Sequence, residues 1–264
     1  MFAYWGQTSA GKLRKVNEDG FEFILKTKSG SEETLFSILC DGLGITDEKV
    51  ECNSLIEISS KVIIEEISRS VDTFYPKDRP VTLEDIKNVL MQSIYVAHRI
   101  IKKYQYLNKA DYGNVGASIT MCAIHSSKYS VIAHAGNTRL YLIRKDSYGE
   151  HNIHRITEDH TEAQNLLKKG LIDKQQYNKQ IIKLTNGIGY TENISIDLFT
   201  AEFVKEDFVI MMSDGIHGVL EEDEIKNIVL QAKSLKDAAA LLIECADLKG
   251  GLDNETVVIS YINF

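Results

Sequence analysis

Two stretches of the sequence, ILCDGLG at residues 38–44 and IMMSDGIHG at residues 210–218, share one pattern. In each, a run of apolar residues ends at an aspartate followed by a glycine, which predicts a buried strand with a carboxylate at its carboxyl end. One such ending carries little information, because Asp and Gly both favour turns. Two of them direct the search to other acidic residues that a sheet would bring to the same edge.

Two further acidic stretches lie next to predicted strands. NEDG at residues 17–20 precedes a predicted strand, and so does LDNET at residues 252–256. The four stretches together place these carboxylates at strand ends: Glu18, Asp19, Asp41, Asp214 and Asp253. A buried carboxylate without a partner is costly, so such groups are paired with a cation or bound to a metal. No evident cationic partner lies beside Asp41 or Asp214 in the sequence, which favours a metal.

The donor set indicates which metal and which chemistry. Carboxylates and a backbone carbonyl, which Gly42 would allow to approach an ion closely, are ligands typical of Mg²⁺ or Mn²⁺. The sequence has no Cys/His ligand set of the kind that zinc prefers. A two-metal site activates a water and neutralises the attacking and leaving oxygens of an in-line displacement. We therefore expect phosphoester hydrolysis, with Arg14 as the candidate for gripping the phosphate oxygens.

The order of predicted elements favours an α+β fold. The predicted strands are 20–28, 34–41, 116–125, 128–135, 138–144, 194–203, 207–213 and 255–262, and the predicted helices are 50–72, 82–101, 160–169, 173–181, 221–231 and 235–248. Strands that come in runs and helices that come in pairs are typical of α+β proteins, and a two-sheet sandwich with a helix pair outside each sheet accommodates them. With two prolines and no linker-like stretch, residues 1–264 are interpreted as one domain.

Composition excludes some classes of function. The net charge is −8 and no Lys/Arg cluster is longer than a pair, which argues against a nucleic-acid-binding protein. No apolar run approaches the roughly 18 residues of a membrane span, and the first residues do not resemble a signal peptide. We therefore expect a soluble, cytoplasmic protein without membrane or nucleic-acid partners.

The order of these motifs resembles the bacterial branch of the type 2C metal-dependent serine/threonine protein phosphatases. The similar segments are TSAGKLRKVNEDGF (8–21), CDGLG (40–44), VGASIT (115–120), HAGNTRLY (134–141), ITEDHT (156–161), LTNGIG (184–189), SDGI (213–216) and DNETVV (253–258). They occur in the family's order over almost the whole chain. The resemblance implies a four-layer αββα sandwich with a dinuclear Mg²⁺ or Mn²⁺ site at one edge, and a flap at about residues 160–182. It also implies a phosphorylated protein as substrate and a cognate Ser/Thr kinase.

The resemblance also implies a role for each residue of the acidic set. Asp41 would bridge both metals and Gly42 would supply a carbonyl to one of them. Asp214 and Asp253 would bind the first metal and Glu18 the second, directly or through water. Asp19 would support the ligands from outside the metal shell, and Arg14 matches the arginine that grips phosphate.

Two positions depart from the family pattern. Asn137 and Gly218 stand where the family has aspartates that help to hold a third, weaker metal, so a degraded third site is expected. This leaves three hypotheses open. They are a phosphoserine/phosphothreonine protein phosphatase, a pseudophosphatase or phosphoprotein-binding regulator, and a regulator with this fold that acts on a small phosphoester or a phosphorylated regulatory partner. Retention of Arg14 together with the metal-ligand carboxylates favours an enzyme.

Overall fold

The computed structural model describes residues 2–28, 32–43, 58–107, 115–127, 129–177 and 183–264. The strands in these ranges are β1 (Phe2–Ser9), β2 (Gly20–Thr27), β3 (Glu33–Leu43), β4 (Gly116–His125), β5 (Tyr129–Ala135), β6 (Arg139–Lys145), β7 (His151–Arg155), β8 (Asp197–Glu202), β9 (Phe208–Met212) and β10 (Glu255–Ile262). The helices are α1 (Ile58–Phe74), α2 (Leu83–Leu107), α3 (Glu162–Lys168), α4 (Lys174–Tyr177), α5 (Asp214–His217), α6 (Glu222–Gln231) and α7 (Leu235–Leu248).

The strands form two five-stranded sheets. One has the order β1-β10-β9-β6-β7 and the other β2-β3-β4-β5-β8, and all neighbouring strands are antiparallel. Strands buried on both faces are apolar almost throughout, as β4 is, because each face needs its own apolar contacts. Successive side chains alternate between the faces. Met121 and Ala123 pack towards α1 and α2, whereas Cys122 and Ile124 pack into the core between the sheets.

Three apolar cores fix the order of the layers. One lies between α1–α2 and the sheet of β4, one between the two sheets, and one between the sheet of β9 and α5–α7. The layers are therefore helices, sheet, sheet and helices. The predicted αββα sandwich is confirmed.

Two strands and one helix were not predicted. β1 and β7 lie at the edges of their sheet, where one side of the strand is left without a neighbour, and no residue of either strand is fully buried. β1 is held by pairing with β10 over its whole length, from Phe2 with Ile262 to Ser9 with Glu255. α5 is a single turn, and Asp214 is its first residue.

Helix boundaries agree with prediction except next to residues outside the described ranges and at α2. The predicted helix 50–72 is described only from Ile58, and the part of helix 173–181 beyond Tyr177 lies outside the described residues. α2 runs six residues past the predicted end, to Leu107. It begins with a capping box, in which Asp85 N donates to Thr82 Oγ1 (3.2 Å) and Thr82 N donates to Asp85 Oδ2 (2.9 Å). None of the described helices combines the length and apolar character that a membrane crossing requires.

Candidate metal centre

The antiparallel register brings the acidic stretches to one rim of the sandwich. Gly20 pairs with Cys40, so Glu18 and Asp19 arrive at β2 where β3 delivers Asp41. In the other sheet β9 ends just before Asp214 and β10 begins just after Asp253. Ser213 N donates to Thr256 O (3.0 Å) and joins these two strand ends. The end of one strand therefore lies beside the beginning of its neighbour in both sheets.

Asp41 is the electrostatic centre of this rim. Burial raises the pKa of its carboxyl well above the usual value, and repulsion from Asp214, Asp19 and Asp253 raises it further. A hydrogen bond from the backbone of Asp214 opposes this rise. Its Oδ2 atom is buried and has no hydrogen-bond partner in the structure. A buried oxygen of this kind is a strong candidate for a cation ligand.

Asp19 is oriented by a chain of hydrogen bonds. Asn17 Nδ2 donates to Thr8 Oγ1 (2.7 Å), the hydroxyls of Thr8 and Thr256 lie 2.7 Å apart, and Thr256 Oγ1 donates to Asp19 Oδ2 (2.7 Å). The hydrogen bond from Thr256 and one with the Ser213 side chain lower the pKa of Asp19, but burial has the largest effect and raises this pKa to about 7. One carboxylate oxygen is thus held by hydroxyls, which suits a supporting role beside the ligands.

Asn254 organises the loop that carries Glu18, a role that the sequence reasoning missed. Its Oδ1 accepts from Glu18 N (2.8 Å), and its Nδ2 donates to the carbonyls of Ala10 (3.1 Å) and Val16 (2.9 Å). The sequence signal for this role was the pair Asp253-Asn254 in DNETVV. Asp253 is a candidate ligand, and Asn254 fixes the loop that carries Glu18, another candidate ligand. Burial raises the pKa of Glu18 to about 7.

Arg14 lies at the open side of the rim and pairs with a predicted ligand. Its Nη2 donates to Asp253 Oδ2 at 2.8 Å, with 46% of the arginine side chain and 40% of the aspartate side chain exposed. This hydrogen bond is the main reason that the pKa of Arg14 is raised. The guanidinium is therefore within reach of both the acidic centre and solvent, as a phosphate-binding group requires.

Gly42 is explained by close packing. A Cβ atom at this position would lie 2.4 Å from the carbonyl oxygen of Glu18, so the two ligand-bearing loops can meet only if residue 42 has no side chain. The contact keeps the Glu18 loop pressed against the end of β3.

The residues present fit a pair of hard divalent cations. The donors are oxygens only, burial and then mutual repulsion raise the pKa values of several carboxyls, and Asp41 has a buried oxygen without a hydrogen-bond partner. Within the described ranges, no group of three His, Cys, Asp or Glu side chains is close enough together to form a complete metal-binding site. In this arrangement Asp253, Asp214 and Asp19 each accept a hydrogen bond from a protein donor. The ligand assignment therefore stays a prediction.

Asn137 fills the first of the two departing positions as a hydrogen-bond donor. Its Nδ2 donates to Asp214 Oδ2 (2.9 Å), and its Oδ1 accepts from Ser118 Oγ (2.6 Å). The backbone carbonyl oxygen of Asn137 accepts from His217 Nε2 (2.9 Å). Burial lowers the pKa of His217 to about 3. An amide here gives Asp214 a proton donor where the family has a second carboxylate.

Gly218 fills the second position and leaves little room for a replacement. A Cβ atom there would lie 2.5 Å from the carbonyl oxygen of Asp214, a distance that forces the backbone to shift. Both positions line a cleft of about 900 Å³, whose opposite wall includes Gln164 and Tyr177 of the predicted flap.

The described part of the flap is fastened to the sandwich by a tyrosine. Tyr177 at the end of α4 donates its hydroxyl to Asp159 Oδ2 (2.5 Å) and accepts from Arg139 Nη2 (3.2 Å). Arg139 also binds Asp159 through two nitrogens, at 2.9 and 2.7 Å. This ion pair holds the pKa of the Asp159 carboxyl well below its usual range.

His160, in the motif ITEDHT, has protein partners at both ring nitrogens. Its Nδ1 accepts from Gly136 N (3.1 Å) and Asn186 Nδ2 (2.8 Å), and its Nε2 lies 3.1 Å from Asp197 Oδ2. These contacts favour a structural role over a catalytic one.

Comparison with known proteins gives consistent relatives. No family model matches the chain. A serine/threonine phosphatase, Stp, of Listeria monocytogenes is 26% identical over 255 residues, which cover 96% of this chain and 93% of the relative. A protein phosphatase, PhpP, of Streptococcus pneumoniae is 30% identical over 154 residues, 58% of this chain and 60% of the relative. The chain is therefore similar over almost its whole length to bacterial serine/threonine protein phosphatases, as its motifs predict.

Solved structures share the fold of this chain. The serine/threonine phosphatase of S. agalactiae superimposes with a TM-score of 0.82 at 24% identity, with both chains covered completely. The catalytic domain of the phosphatase PstP, solved with two manganese ions, has a TM-score of 0.77 at 22% identity, covering 100% of this chain and 99% of that one. The predicted resemblance and the predicted fold are confirmed, and the phosphatase relatives support the predicted class of enzyme, a phosphoprotein phosphatase.

Proposed function

We propose that this chain is a metal-dependent protein phosphatase that hydrolyses phosphoserine and phosphothreonine at the rim built around Asp41. The observation that carries the proposal is the buried, unpartnered Oδ2 of Asp41 among carboxylates with raised pKa, with the Arg14 guanidinium beside them. Such a centre needs cations for charge balance, and the arginine supplies the phosphate contact.

The chain's own residues divide the work. Asp41 would hold both ions and the Gly42 carbonyl one of them. Asp214 and Asp253 would hold the first ion, and Glu18 the second. Two Mg²⁺ or Mn²⁺ ions, when bound, supply Lewis acidity and an activated water. Arg14 would orient the phosphoryl group. Metal binding to Asp253 would release the Arg14 guanidinium from its ion pair, so that it could contact the phosphate oxygens. Asn254 and Asp19 keep the ligand loops in place.

The geometry at residues 137 and 218 gives the alternative some support. The Asn137 amide occupies an oxygen of Asp214, and Gly218 provides no ligand. A third cation would find few free anionic oxygens there. If a third ion is needed for turnover, the chain would be a slow enzyme, or a pseudophosphatase that binds phosphoproteins. The cognate kinase and the cytoplasmic location stay predictions.

An activity assay decides between these functions. The purified chain is given p-nitrophenyl phosphate and a phosphothreonine peptide with Mn²⁺, Mg²⁺ or excess EDTA. We expect hydrolysis with either metal and none with EDTA. Asp41→Asn should be inactive even at saturating metal, whereas Asp223→Asn, a change of an exposed aspartate on α6, should behave as wild type. Full activity in EDTA contradicts the metal centre, and stable peptide binding without turnover supports the pseudophosphatase.

A further inference from the structure

Three leucines beside the candidate centre are exposed to an extent that is unusual for this residue. Leu13 is 66% exposed, Leu248 is 75% exposed and Leu252 is 59% exposed. We call them the leucine patch. Single exposed apolar residues are ordinary, but several together at one place mark an interaction surface.

Backbone hydrogen bonds hold the three segments of the patch together. Leu13 N donates to the carbonyl of Gly251 at 3.2 Å, and Gly251 N donates to the carbonyl of Ala246 at 3.2 Å. The first bond joins the loop after β1 to the loop before β10, and the second joins that loop to the end of α7. Leu13, Leu252 and Leu248 therefore belong to one surface.

The leucine patch continues directly into the candidate catalytic site. Leu13 precedes Arg14 and Leu252 precedes Asp253, and these two successors form the 2.8 Å ion pair. Because consecutive Cα atoms are about 3.8 Å apart, the patch begins about one residue away from the phosphate-gripping arginine.

The charge of this surface differs from that of the whole chain. In residues 12–15 and 247–253 the cationic residues outnumber the acidic ones, Lys12, Arg14, Lys15 and Lys249 against Asp247 and Asp253, although the chain has a net charge of −8. Lys15 is exposed. A basic and apolar surface fits an anionic partner that also carries an apolar side chain.

We propose that the leucine patch binds an apolar side chain of the phosphoprotein substrate, within about three residues of the phosphorylated residue at about 3.3 Å per residue of extended chain. The proposal rests on the proposed function and adds a substrate class to it: phosphorylated segments with a bulky aliphatic neighbour. Leucine and phosphate would be recognised together, by the patch and by Arg14.

The test compares two phosphothreonine peptides that differ only in whether Leu or Ser flanks the phosphothreonine on both sides. Leu248→Ser changes the patch at the last residue of α7, which is not itself a predicted ligand. Leu13→Ser with Leu248→Ser removes two of its three side chains. Tyr148→Ser, a 91% exposed residue on the β6–β7 hairpin, is the matched control. p-Nitrophenyl phosphate, which is too small to reach the patch, reports on the catalytic centre alone.

We expect wild type and the control to prefer the Leu peptide by about five- to tenfold in kcat/KM, the effect of partly burying one aliphatic side chain. Leu248→Ser should reduce the preference and the double variant should abolish it, with p-nitrophenyl phosphate turnover of Leu248→Ser unchanged. Equal kcat/KM for both peptides in wild type, or a preference kept by the double variant, overturns the proposal. So does a dimer in light scattering that the double variant disrupts, because the patch would then bind a second copy.

Failure of the proposed function gives a different result. If wild type hydrolyses neither p-nitrophenyl phosphate nor the peptides, the phosphatase reaction is refuted. Fluorescence anisotropy of the same two labelled peptides then tests the patch: tighter binding of the Leu peptide that is lost in the double variant supports it, and equal binding overturns it.

Discussion

At the scale of single residues, Arg14 connects the acidic rim with the solvent. Its ion pair with Asp253 is about half exposed, so water and salt weaken it. A partner that is held this loosely is easily exchanged. The same guanidinium can therefore serve Asp253 when the carboxylate lacks an ion, and a phosphoryl group when the carboxylate is engaged.

Replacing Arg14 measures this phosphate contact. Arg14→Ala should lower kcat/KM for p-nitrophenyl phosphate by about ten- to thirtyfold, the range for losing a partly exposed, charge-assisted hydrogen bond. Arg14→Lys keeps the charge without the planar fork and should recover only part of the loss. Mn²⁺ binding, followed by calorimetry, should persist in both variants. An unchanged kcat/KM in Arg14→Ala would assign the phosphate contact to another residue.

We expect the substitutions Gly218→Asp and Asn137→Asp, which restore the family's aspartates, to affect the stability of the chain for different reasons. Gly218→Asp should destabilise the chain, because its Cβ atom meets the Asp214 carbonyl, and Gly218→Ala should show the same loss of about 1–3 kcal/mol without any new charge. Thermal unfolding of the two variants separates the steric effect from the electrostatic one. Equal stability of Gly218→Ala and wild type would refute the steric explanation.

Asn137→Asp is therefore the informative restoration. It replaces the N–H that donates to Asp214 with a second carboxylate, so the melting temperature in EDTA should fall. Asn137→Ala, which removes the amide without adding charge, is its control. If a third ion aids turnover, activity of Asn137→Asp should rise in a new phase at high Mn²⁺ concentration. Absence of this phase in an active enzyme would show that the third site is dispensable.

At the scale of elements, the apolar runs and the helix caps were enough to predict most boundaries. β4, β9 and β10 are buried on both faces, so each is an apolar run that predicts a strand from the sequence. β1 and β7 could not be predicted in the same way, because an edge strand is specified by its partner rather than by its own apolar pattern. The turn α5 was missed because one helical turn has no periodicity to detect.

The candidate site shows the same division. Asp41, Asp214, Asp253 and Glu18 were visible as acids at strand ends. The hydrogen bond of Asn254 with the Glu18 loop and that of Tyr177 with Asp159 could not be predicted, because both join segments that are distant in sequence. A side chain that acts only through such contacts leaves no local signature.

The flap offers a test at this scale. Tyr177→Phe removes the hydroxyl bonded to Asp159 and Arg139, so α4 should detach more often. Limited proteolysis between α3 and β8 should become about fivefold faster, as expected for a lost hydrogen bond of about 1 kcal/mol. Tyr148→Phe is the control at an exposed tyrosine. Equal cleavage rates in wild type and Tyr177→Phe would show that the hydroxyl does not restrain the flap.

At the scale of the whole molecule, metal binding and protons are linked. The pKa values of Glu18 and Asp19 are raised to about 7 and that of Asp214 to about 6, so these carboxyls hold protons below neutrality in the metal-free fold. A metal must displace those protons, and its apparent affinity falls as the pH falls. Burial lowers the pKa of His134 to about 4, but this applies to the loaded and the metal-free protein alike and cancels in their difference.

The difference in melting temperature between Mn²⁺-saturated and EDTA-treated protein should therefore grow from about pH 5.5 to about pH 7.5. Differential scanning calorimetry at a fixed Mn²⁺ concentration measures it. Asp41→Asn removes the central carboxylate and should flatten the dependence. A Mn²⁺-induced shift of equal size at both pH values would contradict protonated ligands in the metal-free state.

The pairing of β1 with β10 also has a consequence for how the chain acquires activity during synthesis. Thr8 and Thr256, 248 residues apart, meet at the rim, and the ligands Glu18 and Asp253 come from the segments next to these two strands. A ribosome must therefore synthesise the whole segment from Glu18 to Asp253 before the predicted ligands can meet. Joining segments so far apart in sequence is slow, because the closure entropy of a long loop must be overcome first. A nascent chain that ends before Asp253 should therefore be unable to dephosphorylate its neighbours.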